Sequence, residues 1–408
     1  AVVGNPPYVR YQLHNEAGTS GRLAAKRAVL NLTRLASSWA PFVSHAAEFV
    51  APGGRMALVL PAELIHAQYA KGVLSWLQER FARLALVVFE RRVFPGALEE
   101  VVLLFAEGRG LGSCPEVRLI ECDTLADLQP SALGPASAET ARPAIRGPGK
   151  LLAQLLPAAT QELYARLAVD ARVQALGAYG SVDIGAVTGA NDFFLLAADD
   201  EPGLAEELVR PAVSKAAHVK GARFSQADYE RLADGGAPCR LFVASPDTPK
   251  RTFRTADSYL ERGERQGIKQ RYKCRIRQHW WSVPLPKHGV PELFLTYCAA
   301  EFPRLVVNEV GALHTNTVHG VKLKGETSAA ALAACFFNSL TLLSAELVGR
   351  SYGGGVLKLE PTEAEAVLLP PVPDEATEML DEVDQAVRAW RLEEALDLVD
   401  RLVLVDRL

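Results

Sequence analysis

Ala1-Val2-Val3-Gly4-Asn5-Pro6-Pro7-Tyr8 opens the chain with an apolar strand that runs straight into a proline-stiffened loop. Two prolines fix φ and remove two amide donors, so the loop is rigid and its carbonyls can face a pocket. The Asn5 side-chain oxygen and the Pro6 carbonyl are then two acceptors suited to the two hydrogens of an exocyclic amine, and Tyr8 adds an aromatic face on which a planar base can stack. Such an amine is a poor nucleophile because its lone pair is delocalised into the ring. Acceptors holding both N–H groups favour the pyramidal nitrogen of the transition state. A proline turn with no chemical role has the same spelling.

Working outward, residues 1 to about 110 carry the punctuation of an α/β domain. Leu32 to Val50 has apolar residues at helical spacing, Pro52-Gly53-Gly54 is a turn, Arg55 to Leu60 is a short buried strand, and Tyr69 to Phe81 is helical. Leu84 to Phe89 and Val101 to Phe105 are two β-rich runs, close enough in sequence to be an antiparallel pair at the edge of a largely parallel sheet. A strand with no initiator Met, helix or cap ahead of it is expected to continue something longer, with further strands beside it.

Between Gly108 and Lys150 the composition turns to Gly, Pro, Ala and Ser and reads as a linker, with one strand candidate at Val117 to Glu121. Leu151 to Leu176 reads as helix. A second domain begins after Gly177 and runs to about residue 370, with irregular turn-rich spacing. Leu380, Val383, Val387, Trp390, Leu392, Leu396, Val399 and Leu402, set among many acids, predict one or two amphipathic helices at the end.

The 408 residues are 49% hydrophobic and 23% charged, enough for real cores, which excludes a disordered tail or a disulfide miniprotein. No apolar run approaches the roughly 18 to 20 residues that span a bilayer. Six scattered cysteines without a CxxC pair fit reduced thiols in a cytoplasm better than a zinc site or a disulfide framework. The net charge of −4 hides a segregation: Lys250 to Lys287 holds 11 Lys and Arg against three acids, whereas residues 356–408 hold 5 basic and 14 acidic residues. A phosphate backbone responds to a local field, so a nucleic-acid partner stays open; a merely solvated basic face is the competing account.

Asn5-Pro6-Pro7-Tyr8, followed by Ala51-Pro52-Gly53-Gly54-Arg55-Met56-Ala57-Leu58-Val59-Leu60-Pro61, resembles the S-adenosylmethionine-dependent DNA adenine-N6 methyltransferases of class I, in particular the TaqI-like and Eco57I-like enzymes. The resemblance implies that Asn5 and Pro6 accept hydrogen bonds from adenine N6 and that Tyr8 stacks on the flipped base. Phe94, in Val93-Phe94-Pro95, would pack on the base's other face or edge, although by itself it reads equally well as core. Enzymes that methylate a protein glutamine amide or a base in structured RNA share the tetrapeptide.

The second domain favours DNA among these. Gly185-Ala186-Val187-Thr188-Gly189-Ala190-Asn191-Asp192-Phe193-Phe194 resembles the opening of the TaqI-like specificity domain, and Arg271 to Pro284, Phe337 to Leu340 and Arg350 to Pro361 fit the same type of domain. Taken as extended, Arg271, Lys273, Arg275 and Arg277 put four cations on one face, with Lys269 alongside, for phosphates or guanine edges. Trp280 and Trp281 as plain core, with the cations solvated, is the alternative. The Gly353 to Gly355 run permits close backbone approach to a ligand.

The expected architecture is therefore α/β: a partial Rossmann-like methyltransferase sheet (residues 1–110), a linker and connecting helix (111–176), a mixed α+β target-recognition domain (177–370) and an acidic helical segment (371–408). The family's glycine-rich loop and acidic residue for the cofactor are not found in this sequence. Asn5 is thus the one S-adenosylmethionine-site residue assigned here, the rest being expected upstream of residue 1, and no metal is expected. The implied partners are double-stranded DNA and a cognate restriction endonuclease, with no membrane, in the cytoplasm. A DNA-recognition subunit that borrows its cofactor site is the alternative, and an RNA or protein amine methyltransferase a further one.

Overall fold

The computed structural model describes residues 1–9, 23, 26, 32, 36–67, 69–91, 93, 94, 100–129, 141–143, 150–201, 203–352 and 356–408. It is a mixed α/β chain with several sheets. Internal contacts divide it into two compact units, residues 1–165 with 350–356, and residues 166–349 with 357–408.

The first unit is built on six strands: β1 (Val2–Gly4), β2 (Arg55–Pro61), β3 (Phe81–Phe89), β4 (Val101–Arg109), β5 (Glu116–Cys122) and β6 (Ala141–Pro143), in the order β1-β2-β4-β3-β5-β6. β1 is parallel to β2, while β4 runs antiparallel to both β2 and β3, so β1, β2 and β3 all point the same way. The period-2 pattern decides the faces. Met56, Leu58, Leu60, Leu84, Leu86, Val102 and Leu104 enter one core with Trp39 and Val43 of helix α1 (Trp39–Glu48) and Val73, Leu74 and Leu77 of helix α3 (Ala70–Gln78); the short α2 (Glu63–His66) adds Leu64. Ala85, Val87, Ile120 and Cys122 pack on the opposite face, with Leu103 and Phe105 against them.

Two expectations are corrected here. The Leu84–Phe89 and Val101–Phe105 runs do pair antiparallel, but not at the edge of the sheet: β4 is inserted between β2 and β3, and β5 adds in parallel to β3 from Leu84↔Val117 to Phe89↔Cys122. A long strand apolar on both faces needs its outer row of N–H and C=O groups paired, and β5 supplies the partner. Hence Glu116–Cys122 belongs to the sheet, although its Gly/Pro-rich surroundings read as linker. The helix expected over Leu151 to Leu176 is broken at Pro157 into Leu152–Leu155 and Ala158–Leu167, because proline cannot donate to the preceding turn. The Gly353 to Gly355 run lies outside the described residues.

The second unit has a five-stranded sheet, in spatial order Arg223–Phe224, Leu305–Asn308, Leu293–Leu295, His319–Leu323 and Gly180–Ile184, and a four-stranded one of Leu313–His314, Val209–Val213, Arg240–Phe242 and Leu195–Leu196. The acidic end of the chain forms Leu380–Arg388 and Leu392–Asp400, whose Leu380, Val383, Val387 and Val399 share one core with Ala331–Phe337. Buried Asp384 ties the first of these helices down by accepting from the Ala222 and Arg223 amides and from Arg388 Nε, while Arg388 also reaches both oxygens of Asp228. Asn338, in the segment that resembles the specificity domain, is a helix cap: its Oδ1 accepts from the Thr341 amide at 2.9 Å and starts Ser339–Val348. Among the described residues no single helix is long and apolar enough to cross a membrane.

Candidate functional site

Because β1, β2 and β3 run parallel, the segments leaving their C-terminal ends emerge on one edge of the first unit's sheet. Asn5-Pro6-Pro7-Tyr8 follows β1, α2 follows β2, and the bend carrying Phe94 follows β3. Ligands of open α/β sheets bind outside such carboxyl ends. Asn5 is exposed and Phe94 is 44% exposed, so Phe94 is not a core residue.

The Tyr8 hydroxyl lies 2.7 Å from Asn5 Oδ1 and 2.9 Å from the Val59 carbonyl of β2, which pins the ring between its own loop and the neighbouring strand. Ser38 closes the loop from the other side. Its hydroxyl donates to the Pro7 carbonyl and accepts from the Val9 amide at 2.8 Å, and its own amide donates to the Val9 carbonyl at 3.0 Å. Ser38 stands at the N-terminus of α1 yet makes no side-chain cap bond to that helix. A residue suited to capping is thus turned to the loop, one residue beyond the expected Pro6 acceptor.

Next to Ser38, the Ser37 hydroxyl and the Trp39 indole N–H donate to the two oxygens of Glu63, at 3.1 and 3.0 Å, and the Ser37 amide donates to the Tyr69 hydroxyl at 3.2 Å. Burial first, and the Glu63 charge second, push the Tyr69 phenol far above its ordinary range. Burial, aided by Lys150, lowers His66 to about 4, so it is neutral at physiological pH. Sequence reasoning missed Ser38, Val59 and Glu63. A Ser-Ser-Trp run before a helix is the ordinary signature of a cap and carries no hint of the loop it holds.

In the second unit, the structure brings together two segments that lie some 80 residues apart in sequence. In the first, the Gly185–Phe194 loop, the Thr188 hydroxyl donates to Asn191 Oδ1 and the Ala190 amide donates back to Thr188 Oγ1 at 3.1 Å. A Cβ on Gly185 would stand 2.2 Å from the Thr315 carbonyl oxygen, and one on Gly189, whose φ is +73°, 2.4 Å from Lys273 Cβ. Both glycines are therefore demanded by close approach. Phe193 and Phe194 leave the loop for an aromatic core, Phe193 stacking on Tyr259 at 4.3 Å with Trp280 5.8 Å away.

The second segment is the basic one, and it is not extended. Ile268–Gln270 is a 3-10 turn and Tyr272–Arg275 one helical turn, so alternate residues do not share a face and the single row of four cations does not exist. Cys274 within that turn is fully buried, with its Sγ 3.8 Å from the Thr188 carbonyl. Two of the five cations are bonded to the Gly185–Phe194 loop. Arg271 forms a two-pronged pair with Asp192, and Arg277 donates to the Val187 and Thr188 carbonyls at 2.6 and 2.7 Å, its guanidinium 5.8 Å from the Phe194 ring. Lys269 meets Glu264 at 3.0 Å, while Lys273 and Arg275 are exposed. Trp280 is core, as one of the two readings had it, and Trp281 is half-buried against Phe253 at 4.8 Å.

Residues 148–404 match the model of the C-terminal domain of the type II methyltransferase M.Eco57I, and residues 1–94 match that of the Eco57I restriction-modification methylase. The chain belongs to the family of the type II methyltransferase M.Eco57I, C-terminal domain, whose model spans more than half of it. Among curated relatives, the type II methyltransferase M.XamI of Xanthomonas campestris pv. amaranthicola is 29% identical over 380 residues, covering 91% of this chain and 67% of that protein. M.AccI of Acinetobacter calcoaceticus is 21% identical over 380 residues, covering 89% of this chain and 67% of its own. The type IIL restriction-modification enzyme MmeI, solved in complex with DNA, has a similar fold, with a TM-score of 0.57 at 13% identity over 98% of this chain and 53% of MmeI. The chain thus spans about two thirds of those curated relatives and about half of that solved one.

Proposed function

We propose that this Eco57I-family chain supplies the methyl-acceptor site and the DNA reader of a site-specific DNA adenine-N6 methyltransferase in a restriction-modification system. One observation carries the reading: the parallel ends of β1, β2 and β3 gather Asn5, Tyr8 and exposed Phe94 on one edge of the sheet, which we read as the later half of a Rossmann-like methyltransferase sheet. Adenine extruded from the duplex enters this edge. Asn5 Oδ1 and the Pro6 carbonyl accept its N6 hydrogens, and Tyr8, held by Val59, offers the ring on which it stacks, with Phe94 on the other side. Holding both hydrogens favours a pyramidal nitrogen whose lone pair is no longer delocalised into the ring and is free to take a methyl group, after which one N6 proton leaves to solvent.

S-Adenosylmethionine supplies the methyl group in this reading, and its site is only partly built from these residues. Glu63, a carboxylate at this end of the sheet, accepts from Ser37 and Trp39; Asn5 is the cofactor-facing residue we assign. No metal enters the scheme.

The second unit is the target-recognition part, with duplex DNA lying against the turn that carries Lys273 and Arg275, and Lys269 beside it. A cognate restriction endonuclease and a cytoplasmic setting follow from the same reading. Methylation-sensitive sequencing of DNA from cells expressing the full-length gene, beside its Asn5→Ala variant, tests it. Modified adenine at one recurrent sequence, lost in the variant, is the expected result. An unmodified genome, or modification that survives Asn5→Ala, rejects it.

A further inference from the structure

The turn from Arg271 to Arg277 is pinned on its inner side and bare on its outer side. Inside, Cys274 is buried, Arg271 grips Asp192, Arg277 grips two carbonyls of the Gly185–Phe194 loop, and Gly189 lets Lys273 Cβ come closer than any larger residue would. Outside, Tyr272 is 64% and Ile276 58% exposed. The Ile276 amide donates to the Tyr272 carbonyl at 3.3 Å, so the two side chains sit four residues apart on a helical turn and project together. Exposed Lys273 and Arg275 lie between them in sequence, the Lys273 ammonium 5.7 Å from the Tyr272 ring.

A single exposed apolar residue needs no explanation. Two large ones, held out on a backbone that an ion pair and several hydrogen bonds have already ordered and flanked by exposed cations, make a prepaid contact surface: little conformational entropy remains to be lost when something covers it. The cations decide what covers it, because residues 250–287 hold 11 Lys and Arg against three acids, the complement of a polyanion. We propose that Tyr272 and Ile276 make apolar contact with the bases of duplex DNA, while Lys273 and Arg275 hold the flanking phosphates. This deepens, and rests on, the reading of the second unit as the DNA reader. It moves sequence selection from the cations, two of which are spent on internal bonds, to a nonpolar pair. Two chemistries meet the description: contact with a thymine methyl group in the major groove, or insertion at a base step.

The test uses the full-length protein and duplexes carrying the sequence found by methylation mapping. Tyr272→Ala and Ile276→Ala are each expected to weaken binding to that sequence by about 5- to 100-fold, with unchanged affinity for unrelated duplexes, unchanged salt dependence and unchanged thermal stability. Lys273→Gln with Arg275→Gln should weaken both kinds of duplex and reduce the salt slope by about one per cation removed. Replacing each thymine in turn by deoxyuridine identifies a methyl contact when a loss at one position disappears in Ile276→Ala. A 2-aminopurine signal at one step, absent in Tyr272→Ala, identifies insertion. If the two apolar variants discriminate like wild type while the lysine–arginine variant weakens all binding, the proposal is overturned and the DNA-reader reading stands. If wild type shows no preference for the mapped sequence and no variant alters binding, both fall.

Discussion

The hydroxyl of Tyr8 donates a 2.7 Å hydrogen bond to Asn5 Oδ1, the very oxygen that the adenine amine would use. The Val59 carbonyl, at 2.9 Å, competes for the same proton. When the hydroxyl turns to Val59, the carboxamide oxygen regains its full acceptor strength; when it turns to Asn5, it fixes which end of the amide faces the pocket. Tyr8→Phe keeps the ring and removes this control, so single-turnover methylation by the full-length enzyme should slow by several-fold with DNA affinity unchanged. Asn5→Ala removes the acceptor itself and should cost about 3 to 4 kcal/mol in the same assay. A Tyr8→Phe enzyme as slow as Asn5→Ala would mean that the hydroxyl does more than orient the amide.

Ser38→Ala deletes the clamp on Pro7 and Val9 without deleting a helix cap, since the hydroxyl makes none. The stability cost should stay near two ordinary hydrogen bonds, about 1 to 2 kcal/mol, while turnover falls because Tyr8 is no longer held from both sides. Ser38→Thr, which keeps the hydroxyl, should restore much of the rate. Unfolding midpoints beside single-turnover rates separate this from a merely structural serine, which would move the two together.

Arg277 holds the Gly185–Phe194 loop through two carbonyls, and burial lowers its pKa from the ordinary arginine value. Arg277→Ala should therefore destabilise the protein, by about 2 kcal/mol on the scale of hydrogen bonds to charged groups, whether or not DNA is present. Denaturant unfolding of the DNA-free protein measures this. Unchanged stability with a large loss of DNA affinity would return Arg277 to the interface.

His314 and His319 are 1% and 2% exposed, and burial above all holds each at about 4 against an ordinary 6.5. The unfolded chain takes up these protons between roughly pH 6.5 and 4 while the folded chain refuses them, so their contribution is intact above the unfolded value and is lost as pH falls through that window. Each site is worth about 3 kcal/mol over the full span. Unfolding free energies measured from pH 7.5 to 4.5 should drop steeply, and His319→Gln should flatten the slope. A flat profile for the wild-type chain contradicts the assignment.

Asn5-Pro6-Pro7-Tyr8, the glycines and phenylalanines of Gly185–Phe194, and the amphipathic C-terminal helices could all be picked out in the sequence, because each is set by local rules: proline fixes φ, a close-packed loop demands glycine, and apolar spacing marks a buried helix face. What covers, pairs or pins those pieces depends on partners far along the chain, and only the tertiary structure decided it. The apolar alternation of Glu116–Cys122 was visible, but its place beside β3 depended on a strand needing a second hydrogen-bonded neighbour. The expected row of cations is a helical turn instead, with the Cys274 thiol buried beneath Thr188 and Arg271 and Arg277 bonded to the distant Gly185–Phe194 loop, contacts between segments that no local pattern could announce. Ser38 is the same lesson in miniature. Its local context called for a helix cap, and the open Pro7 carbonyl, 31 residues earlier in the chain, took the hydroxyl instead.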